Sequence, residues 1–186
     1  MEGRFLSPPS IEGLLAGATA ARADRADVVF IAEGPLGDAI VLATALAVTI
    51  PEILVGVRIN LTTEAHRHPA LLGREMTTFD QVSGGRSVLA FIGPFSDATG
   101  EAIGLCRDMW RQGIAAGEGP HYPVAGAINR PGPCRDGGPP IALDLTDGAS
   151  ADASLLRLVD LVLIPAEGSA PPALPAGVDV CQIQDA

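Results

Sequence analysis

Short apolar runs alternate along this chain with longer stretches in which apolar residues recur every three or four positions. A run of four to eight apolar residues between turn residues predicts a buried strand, and the wider spacing predicts a helix with one apolar face. The pattern therefore predicts strands at residues 4–7, 28–32, 53–59, 87–92, 141–145, 161–164 and 178–181.

Helices are predicted between most of these strands, because polar residues that can cap a first turn stand where the helical spacing begins. The expected helices follow Ser10, Asp38 and Asp97, and a further short one is expected at residues 154–158. By contrast, residues 120–140 contain so many proline and glycine residues that an irregular segment is expected there.

The segment between Arg67 and Arg86 carries the signals of both ends of a helix. Pro69 suits the first turn, where its missing N–H would have no intrahelical partner, and Gly84 and Gly85 suit the end. The apolar residues of this helix are expected on one buried face: Leu71, Leu72, Met76, Phe79 and Val82.

The alternation of helices with continuously apolar strands predicts a parallel sheet covered by helices. We expect a single domain over residues 1–186, since this length suffices for one sizeable core. An open doubly wound sheet and a closed barrel both fit the pattern, and periodicity alone does not separate them.

The formal net charge is −10, although 47% of the residues are hydrophobic. Nucleic acid and anionic lipid are not expected as partners, because both bind basic surfaces. Lysine is absent, which excludes a Schiff-base lysine and a phosphate-binding loop with its lysine. No membrane helix is expected, because the apolar run at residues 39–48 is shorter than the ~18 residues that a crossing needs.

The three cysteines, Cys106, Cys134 and Cys181, lie far apart in the chain. Their number and spacing predict neither a disulfide framework nor a zinc site, and they favour a reduced, cytoplasmic setting. The start of the chain has no basic region followed by an apolar core, so no signal peptide is expected. His66 and His68 form an H-x-H pair, but no acidic or cysteine cluster completes a metal site.

A family resemblance rests on the helix described above and the turn after it. Arg67-His68-Pro69 followed by Phe79-Asp80-Gln81-Val82-Ser83-Gly84-Gly85-Arg86 resembles the luciferase-like monooxygenase superfamily, which includes bacterial luciferases and related flavin- or deazaflavin-dependent oxidoreductases. Residues 119–127, 139–141 and 159–165 look like three further segments of that family, in the family's order.

The resemblance implies a (βα)8 barrel, usually dimeric, whose cofactor ring lies at the carboxyl ends of the strands, where barrel enzymes have their active sites. A complete barrel commonly takes ~250 residues. We therefore expect a shortened TIM-type barrel with one or more strand or helix elements missing. An open barrel would need its exposed edge covered, so a homodimer or a hetero-oligomer with a related barrel is expected.

The end of the second strand is the first candidate site. The resemblance places an acidic residue and then a catalytic histidine there, and this chain has Glu33 followed by Gly34. Glu33 is therefore the candidate catalytic and cofactor-facing residue, whereas glycine cannot move a proton. The other interpretation of Glu33 is a carboxylate that caps the next helix or pairs with an arginine.

Two further strand ends carry candidate cofactor-binding residues. Arg58 and Asn60 end the third strand, where the family contacts the ring, and Arg58 could pair with Glu33, hold an anion or point outward. Gly93 ends the fourth strand, where a missing side chain would either admit a planar ring or simply terminate the strand.

Residues 146–150 are expected to open the helix after the fifth predicted barrel strand. The family has a phosphate-contacting glycine turn in this region, so Gly148, Ala149 and Ser150 are candidate cofactor-binding residues whose N–H groups would meet phosphate. Asp147 argues against a phosphate, because a carboxylate repels it, and favours helix capping.

Two functions follow from these observations. The first is a luciferase-like oxidoreductase or monooxygenase that binds FMN or a deazaflavin coenzyme and a small-molecule substrate, without a metal. The alternative is a non-catalytic ligand-binding protein or the inactive partner subunit of a full-length luciferase-like barrel. Gly34 and the short chain favour the alternative, whereas Glu33 and the retained strand order fit both.

Overall fold

The computed structural model describes residues 1–7, 10–62, 67–167 and 172–184, in which strands and helices alternate as the apolar pattern predicts. The strands are β1 Glu2–Leu6, β2 Val28–Ala32, β3 Leu54–Asn60, β4 Ser87–Ile92, β5 Ile114–Gly117, β6 Val124–Ile128, β7 Ile141–Asp144, β8 Leu161–Pro165 and β9 Asp179–Gln184. The helices are α1 Ile11–Ala23, α2 Ala39–Thr49, α3 Pro69–Ser83, α4 Asp97–Gln112 and α5 Ala153–Leu156.

Seven of these strands form a closed parallel barrel in the order β1-β2-β3-β4-β7-β8-β9. Closure depends on β9, which pairs with β8 on one side and with β1 on the other. This confirms the shortened TIM-type barrel, with seven barrel strands among the described residues. Among these residues the barrel has no open edge, because β9 supplies hydrogen-bond partners to both of its neighbours.

Apolar side chains from the seven strands fill the inside of the barrel and alternate with residues that face the outer helices. The fully buried members of this inner cluster are Val28, Phe30, Val88, Ala90, Ala142, Leu161, Leu163, Cys181 and Ile183. Gly56 on β3 makes room for the Phe30 ring, since a Cβ at Gly56 would lie 2.2 Å from Phe30 Cδ1. The barrel is therefore a packed core and not a pore.

The helices bury their inner faces against the outside of the strands, but two apolar residues of α3 depart from the prediction. Leu71 and Val82 were expected on the buried face and are 51% and 49% exposed. The buried face instead follows Leu72, Met76 and Phe79. Leu71 lies one residue, about 100° of helix rotation, away from Leu72, so both cannot face the core.

The predicted helix starts are close to the observed ones. Ser10 and Asp38 cap α1 and α2 with their side chains. The start of α4 differs by one residue, because Ser96 and not Asp97 is the cap. The Ser96 N–H donates to the hydroxyl of Thr99 at 3.2 Å, and Asp97 is the first residue of the helix.

The middle of the chain is more regular than the prediction. β5 and β6 form an antiparallel hairpin outside the barrel, and β6 lies inside the segment expected to be irregular. Asn129, which follows the hairpin, is buried and donates from Nδ2 to Thr77 Oγ1 at 2.9 Å and to the Met109 carbonyl at 3.1 Å. Long-range contacts of this kind order a segment that is rich in proline and glycine.

The chain is shortened chiefly after β7. α5 has only four residues, and the described residues between β8 and β9 contain no helix. Among the described residues, no helix combines the length and the apolar composition that a membrane crossing requires.

Candidate functional site

A buried ion pair lies at the carboxyl end of the barrel, where β3 and β7 end. Arg58 Nε donates to Asp144 Oδ2 at 2.7 Å, and an Nη of the same guanidinium also contacts that oxygen. The Arg58 guanidinium carbon stands 3.6 Å from the centre of the Phe5 ring, a distance typical of a cation–π contact. The side chains of Arg58 and Asp144 are only 12% and 1% exposed.

The second oxygen of Asp144 is also bound. Asp144 Oδ1 accepts the Thr146 N–H at 3.0 Å and the Thr146 hydroxyl at 2.6 Å. Each carboxylate oxygen of this buried group therefore has hydrogen-bond donors, as a buried charge requires. The result is a guanidinium that is held in place at the carboxyl end of the barrel.

Sequence reasoning missed Asp144, although a signal was present. Asp144 is the only charged residue of the apolar run Ile141–Leu145, just as Arg58 is the only charge of its own strand. Asp144 is also two residues after the inward-facing Ala142, which places it on the inner side of β7. Two isolated and opposite charges at inward positions indicate a buried pair.

Arg58 is thus paired across the barrel mouth, but with a different acid from the predicted one. Arg58 was expected to pair with Glu33, to hold an anion or to point outward, and the structure pairs it with Asp144. Strand alternation explains the difference. Asp144 lies two residues after the inward-facing Ala142, whereas Glu33 lies three residues after the inward-facing Phe30 and is bound by Arg67.

Glu33 belongs to a second charged cluster, which is centred on Arg67. Arg67 Nη1 donates to Glu33 Oε1 at 2.5 Å, and its Nη2 contacts Asp38 Oδ2. Arg67 Nε lies 2.9 Å from Glu75 Oε2 but is too poorly aligned to form a hydrogen bond. Glu33 therefore matches the predicted pairing with an arginine.

The Arg67 cluster gathers three carboxylates around one guanidinium. Burial raises the pKa of Glu75; Arg67 opposes the rise and Glu33 adds to it. A small apolar cavity of about 140 Å³ lies beside Glu33 and is lined in part by Leu6, Ile31 and Leu42. Glu33 thus borders a cavity while its Oε1 is held by Arg67.

Asn60, the other candidate on β3, uses its side-chain oxygen in a local turn. Its Oδ1 accepts the Thr62 N–H at 2.8 Å and the Thr62 hydroxyl at 2.7 Å. This is the Asx-turn arrangement, which shapes the loop after β3.

Gly93 meets the loop that follows β7. A Cβ at Gly93 would lie 2.7 Å from the Cβ of Ala149. The space beside Gly93 is therefore occupied by Ala149, and the glycine allows this close contact between the two loops. The structure brings two predicted cofactor-binding residues together, but as packing partners.

The turn at residues 146–150 does not open a helix, contrary to the prediction. α5 begins at Ala153, and its cap is Asp152, which accepts the N–H groups of Ser154 and Leu155 at 2.9 and 2.8 Å. Hydrogen bonds from the Ser154 hydroxyl and from the backbone lower the pKa of Asp152.

Two residues of the predicted cofactor-binding turn have other surroundings. Gly148 donates its N–H to the Leu145 carbonyl at 3.1 Å, and Ser150 lines a cavity of about 490 Å³.

That cavity does not suit an anion. Two carboxylates, Asp97 and Asp152, line it together with Ser150. The N–H groups at the start of α5 are already taken by Asp152. A phosphate there would meet negative charge and would find the nearest helix donors occupied.

The histidines have no metal-binding arrangement in the described part of the chain. His68 caps α3, where its Nδ1 accepts the Ala70 N–H at 3.2 Å, and its ring packs edge-on to Tyr122. His66 lies outside the described residues. Those residues contain no group of three or more histidine, cysteine or acidic side chains that could hold a metal ion.

No family model and no curated protein matches the chain. Solved structures do match its fold. The F420-dependent tetrahydromethanopterin reductase of Methanopyrus kandleri superimposes with a TM-score of 0.66 at 18% identity, over 89% of this chain and 55% of that one. The long-chain alkane monooxygenase LadA matches with a TM-score of 0.66 at 14% identity, over 86% and 50%.

A third solved structure is a Type II Baeyer-Villiger monooxygenase, the oxygenating constituent of 3,6-diketocamphane monooxygenase from Pseudomonas putida, in complex with FMN. It matches with a TM-score of 0.61 at 16% identity, over 87% of this chain and 57% of that one. The chain thus spans about half the length of these proteins. The three have the luciferase-like barrel fold, and this chain has a shortened form of that fold.

Proposed function

We propose that the chain is a shortened luciferase-like protein that binds the ring of a flavin or deazaflavin at the carboxyl end of its barrel. The observation that carries the proposal is the buried Arg58–Asp144 pair. Buried ion pairs contribute little to stability compared with apolar packing, so a pair buried in this place favours a functional role. This one lies at the barrel end where enzymes of this architecture have their active sites.

The residues at the mouth fit the ring of such a cofactor. Asp144 engages Nε and one Nη of Arg58, and a guanidinium with five N–H donors has further donors for the carbonyl oxygens of the ring. The inner cluster below the mouth is apolar. The turn at Gly148–Ser150 does not fit the phosphate, for the electrostatic reasons given above.

Each residue has a distinct role in this proposal. A bound flavin or deazaflavin ring would supply hydride chemistry, for which the protein provides binding and electrostatics. Arg58 would bind and orient the ring, and Asp144 and Thr146 would hold Arg58 in place. Glu33, at the carboxyl end of β2, is the candidate acid or base. The resulting function is an oxidoreductase that acts on a small molecule.

A non-catalytic ligand-binding protein, or the inactive partner subunit of a full-length barrel, is the second candidate function. The observation that favours it is the pairing of Glu33 with Arg67, since the carboxylate oxygen that Arg67 binds is not free to contact a ligand. Gly34 cannot replace it. Both candidate functions include the binding of a cofactor ring or another ligand at the barrel mouth. Only the first includes turnover of a substrate.

The three cysteines support a reducing compartment such as the cytoplasm for either function. All three are free thiols in the structure, and Cys106 and Cys181 are buried.

Absorption spectroscopy of the natively purified protein, with mass analysis of any released molecule, tests the proposal. We expect one flavin-like chromophore per chain, or saturable binding in titrations with FMN or the deazaflavin coenzyme F420. Arg58→Lys should bind at least about tenfold more weakly, because it keeps the charge and loses the planar fork. Arg22→Lys, at an exposed ion pair with Glu52, is the matched control and should bind normally.

A colourless protein that binds neither molecule would overturn the proposal. Turnover separates the two candidates once binding is established. Glu33→Gln should bind the cofactor normally and lose hydride transfer if the chain is an enzyme, whereas a chain that binds and never transfers hydride is the non-catalytic protein.

A further inference from the structure

The cavity of about 490 Å³ that Ser150 lines lies at the carboxyl end of the barrel, between the loop after β4 and the loop after β7. Phe95 and Asp97 line the side that belongs to β4 and α4, and Ser150 and Asp152 line the other side. Sites for small molecules commonly have volumes of about 300–1,000 Å³. The cavity is therefore large enough to hold a small ligand.

One wall of this cavity is aliphatic and faces a glycine of α4. A Cβ at Gly100 would lie 3.7 Å from Leu158 Cδ1 and 3.9 Å from Leu155 Cδ1, which is ordinary van der Waals contact. Leu158 is 43% exposed, so part of this wall is open to a ligand. Because Gly100 has no side chain, the first turn of α4 leaves the space in front of the two leucines empty.

Phe95 supplies an aromatic wall. Its Cε2 atom lies 3.5 Å from the position that a Cβ at Gly93 would take, so the ring stands beside the close contact of Gly93 with Ala149. That contact joins the two loops that border the cavity. An aromatic ring packs against apolar groups, and its face also attracts a cation.

The charged groups that line the cavity are both negative. They are Asp97 and Asp152, and none of the described lining residues is basic. Within the described part of the chain, the hydrogen bonds that Asp152 accepts all end on Oδ1, so Oδ2 is the oxygen available to a ligand. Asp97 is the first residue of α4, where the helix dipole favours the charged form of a carboxylate.

We propose that this cavity binds a small organic ammonium ion, that is, a protonated amine with an aromatic or aliphatic body. The carboxylates of Asp97 and Asp152 attract the cation, and the Ser150 hydroxyl adds a third acceptor for the three N–H donors of a primary ammonium. Phe95 and the leucine wall pack against the apolar body. A ligand with both properties satisfies the charge and the apolar walls of the cavity together.

A metal ion suits the cavity less well. Ca²⁺ takes about six to eight oxygen ligands, and the cavity offers two carboxylates. The described residues contain no group of three or more histidine, cysteine or acidic side chains that could hold a metal ion. The aromatic and aliphatic walls also have no use for a bare ion, whereas they match the body of an amine.

The amine site is not the cofactor position proposed above. Neither Arg58 nor Asp144 lines the cavity, although both sites lie at the same end of the barrel. Gly93 follows Ile92, the residue of β4 that pairs with Asp144. The inference does not rest on cofactor binding, so it is tested on the chain without added cofactor.

Isothermal titration calorimetry with phenethylammonium at neutral pH tests the inference. Phenethyl alcohol is the neutral analogue of the same shape, and hydrocinnamate is the anionic one. We expect one saturable site per chain for the ammonium and binding at least about tenfold weaker for the other two, because they cannot form charge-assisted hydrogen bonds to the carboxylates. Asp152→Asn should weaken ammonium binding by a similar factor, and it keeps the cap of α5, since asparagine caps as well as aspartate.

Gly100→Leu tests the volume of the cavity. Leucine favours a helix more than glycine does, so α4 should persist, as far-UV circular dichroism can check. The new side chain would fill the space in front of Leu155 and Leu158 and should abolish binding. Asp147→Asn is the matched control, because Asp147 is an exposed acid of the same loop that does not line the cavity. It should bind phenethylammonium normally.

Three results would overturn the proposal. The first is the absence of saturable binding at millimolar phenethylammonium, and the second is equal binding of the ammonium and the alcohol. The third is binding that both Asp152→Asn and Gly100→Leu leave unchanged. Calcium chloride that displaces the ammonium from the wild-type chain but not from Asp152→Asn would also overturn it and would assign the carboxylates to a metal ion.

Discussion

Asp144 and Arg58 neutralise each other inside the barrel, so removing one of them leaves the other buried and uncompensated. We expect Asp144→Asn to lower the free energy of unfolding by about 3 kcal/mol. Urea unfolding followed by circular dichroism measures this loss. The control is Asp147→Asn, which makes the same charge change at an exposed position three residues away.

The double variant Asp144→Asn, Arg58→Met separates charge from packing. It should recover part of the lost stability, because it removes the unpaired cation as well. If Asp144→Asn and Asp147→Asn had the same free energy of unfolding, the ion pair between Arg58 and Asp144 would not stabilise the folded chain.

Glu75 makes stability depend on pH in the direction opposite to an ordinary paired carboxylate. Burial raises the pKa of Glu75 above its usual value of 4.5, so the folded chain binds this proton more tightly than the unfolded chain does. The contribution of Glu75 to the free energy of unfolding is therefore greatest at acid pH and falls as pH rises through the raised pKa.

Glu75→Gln should remove this dependence. Relative to wild type, the variant should gain stability between pH 4 and pH 7, as measured by urea unfolding at both values. Glu118→Gln, at an exposed position, is the control and should show no such trend. A stability difference between Glu75→Gln and wild type that is the same at both pH values would contradict the assignment.

At the scale of single residues, the sequence indicated Arg58 as a candidate site residue but did not indicate its partner Asp144. Arg58 stands out because it interrupts an apolar run, and that signal is local. That Asp144 lies within reach of Arg58 depends on the strand order β3-β4-β7, which no local pattern contains. Arg67 likewise binds Glu33 and Asp38 from the segment between β2 and α2, and that contact is not visible in the local pattern around Arg67.

Among the elements, the contact between β4 and the loop after β7 gives the next prediction. A Cβ at Gly93 would lie 2.7 Å from Ala149 Cβ. Gly93→Ala should therefore lower the free energy of unfolding by roughly 1–3 kcal/mol, the usual range for overpacking, as measured by urea unfolding.

The compensating change tests the cause. Adding Ala149→Gly to Gly93→Ala should restore most of the stability, because it removes the atom that the new methyl group meets. A double variant that is as unstable as Gly93→Ala alone would show that contact with Ala149 is not the cause of the destabilisation.

Seven barrel strands and four longer helices were predictable because each is a local apolar run or an apolar-rich stretch of helical length that is bounded by capping or turn residues. The hairpin of β5 and β6 was not, since its order depends on contacts such as that of Asn129 with Thr77. The short helix expected at residues 154–158 is found at Ala153–Leu156. The turn at residues 146–150 was wrongly expected to open a helix, because Asp147 and Asp152 are equally good caps in sequence and only the loop conformation selects Asp152. The exposure of Leu71 and Val82 was not predictable, because it depends on which other elements pack against α3 and the apolar spacing does not contain that information.

For the whole molecule, thiol reactivity reports whether the barrel is closed and packed. Cys106 and Cys181 are buried, which raises the pKa of each thiol to about 12, whereas Cys134 is exposed. We expect one thiol per native chain to react rapidly with an aromatic disulfide reagent, and three after denaturation. Cys134→Ser should abolish the rapid reaction, and fast modification of all three thiols in the native chain would refute the packing of the barrel interior.

The choice of a barrel over an open sheet came from the family resemblance and not from periodicity. Both architectures contain the same alternation of strands and helices, and they differ only in whether the first and last strands meet. Here β9 meets β1, a contact between distant parts of the chain that local sequence cannot reveal.

This contact also has a consequence during synthesis. β1 and β9 are joined across about 180 residues, as the bond between Arg4 and Gln184 shows. At ~5–20 residues per second, a ribosome takes roughly 10–40 s to make that stretch. The edge of β1 that later pairs with β9 has no partner during this time. We therefore expect this edge of the nascent chain to be the most exposed to incorrect pairing with another strand.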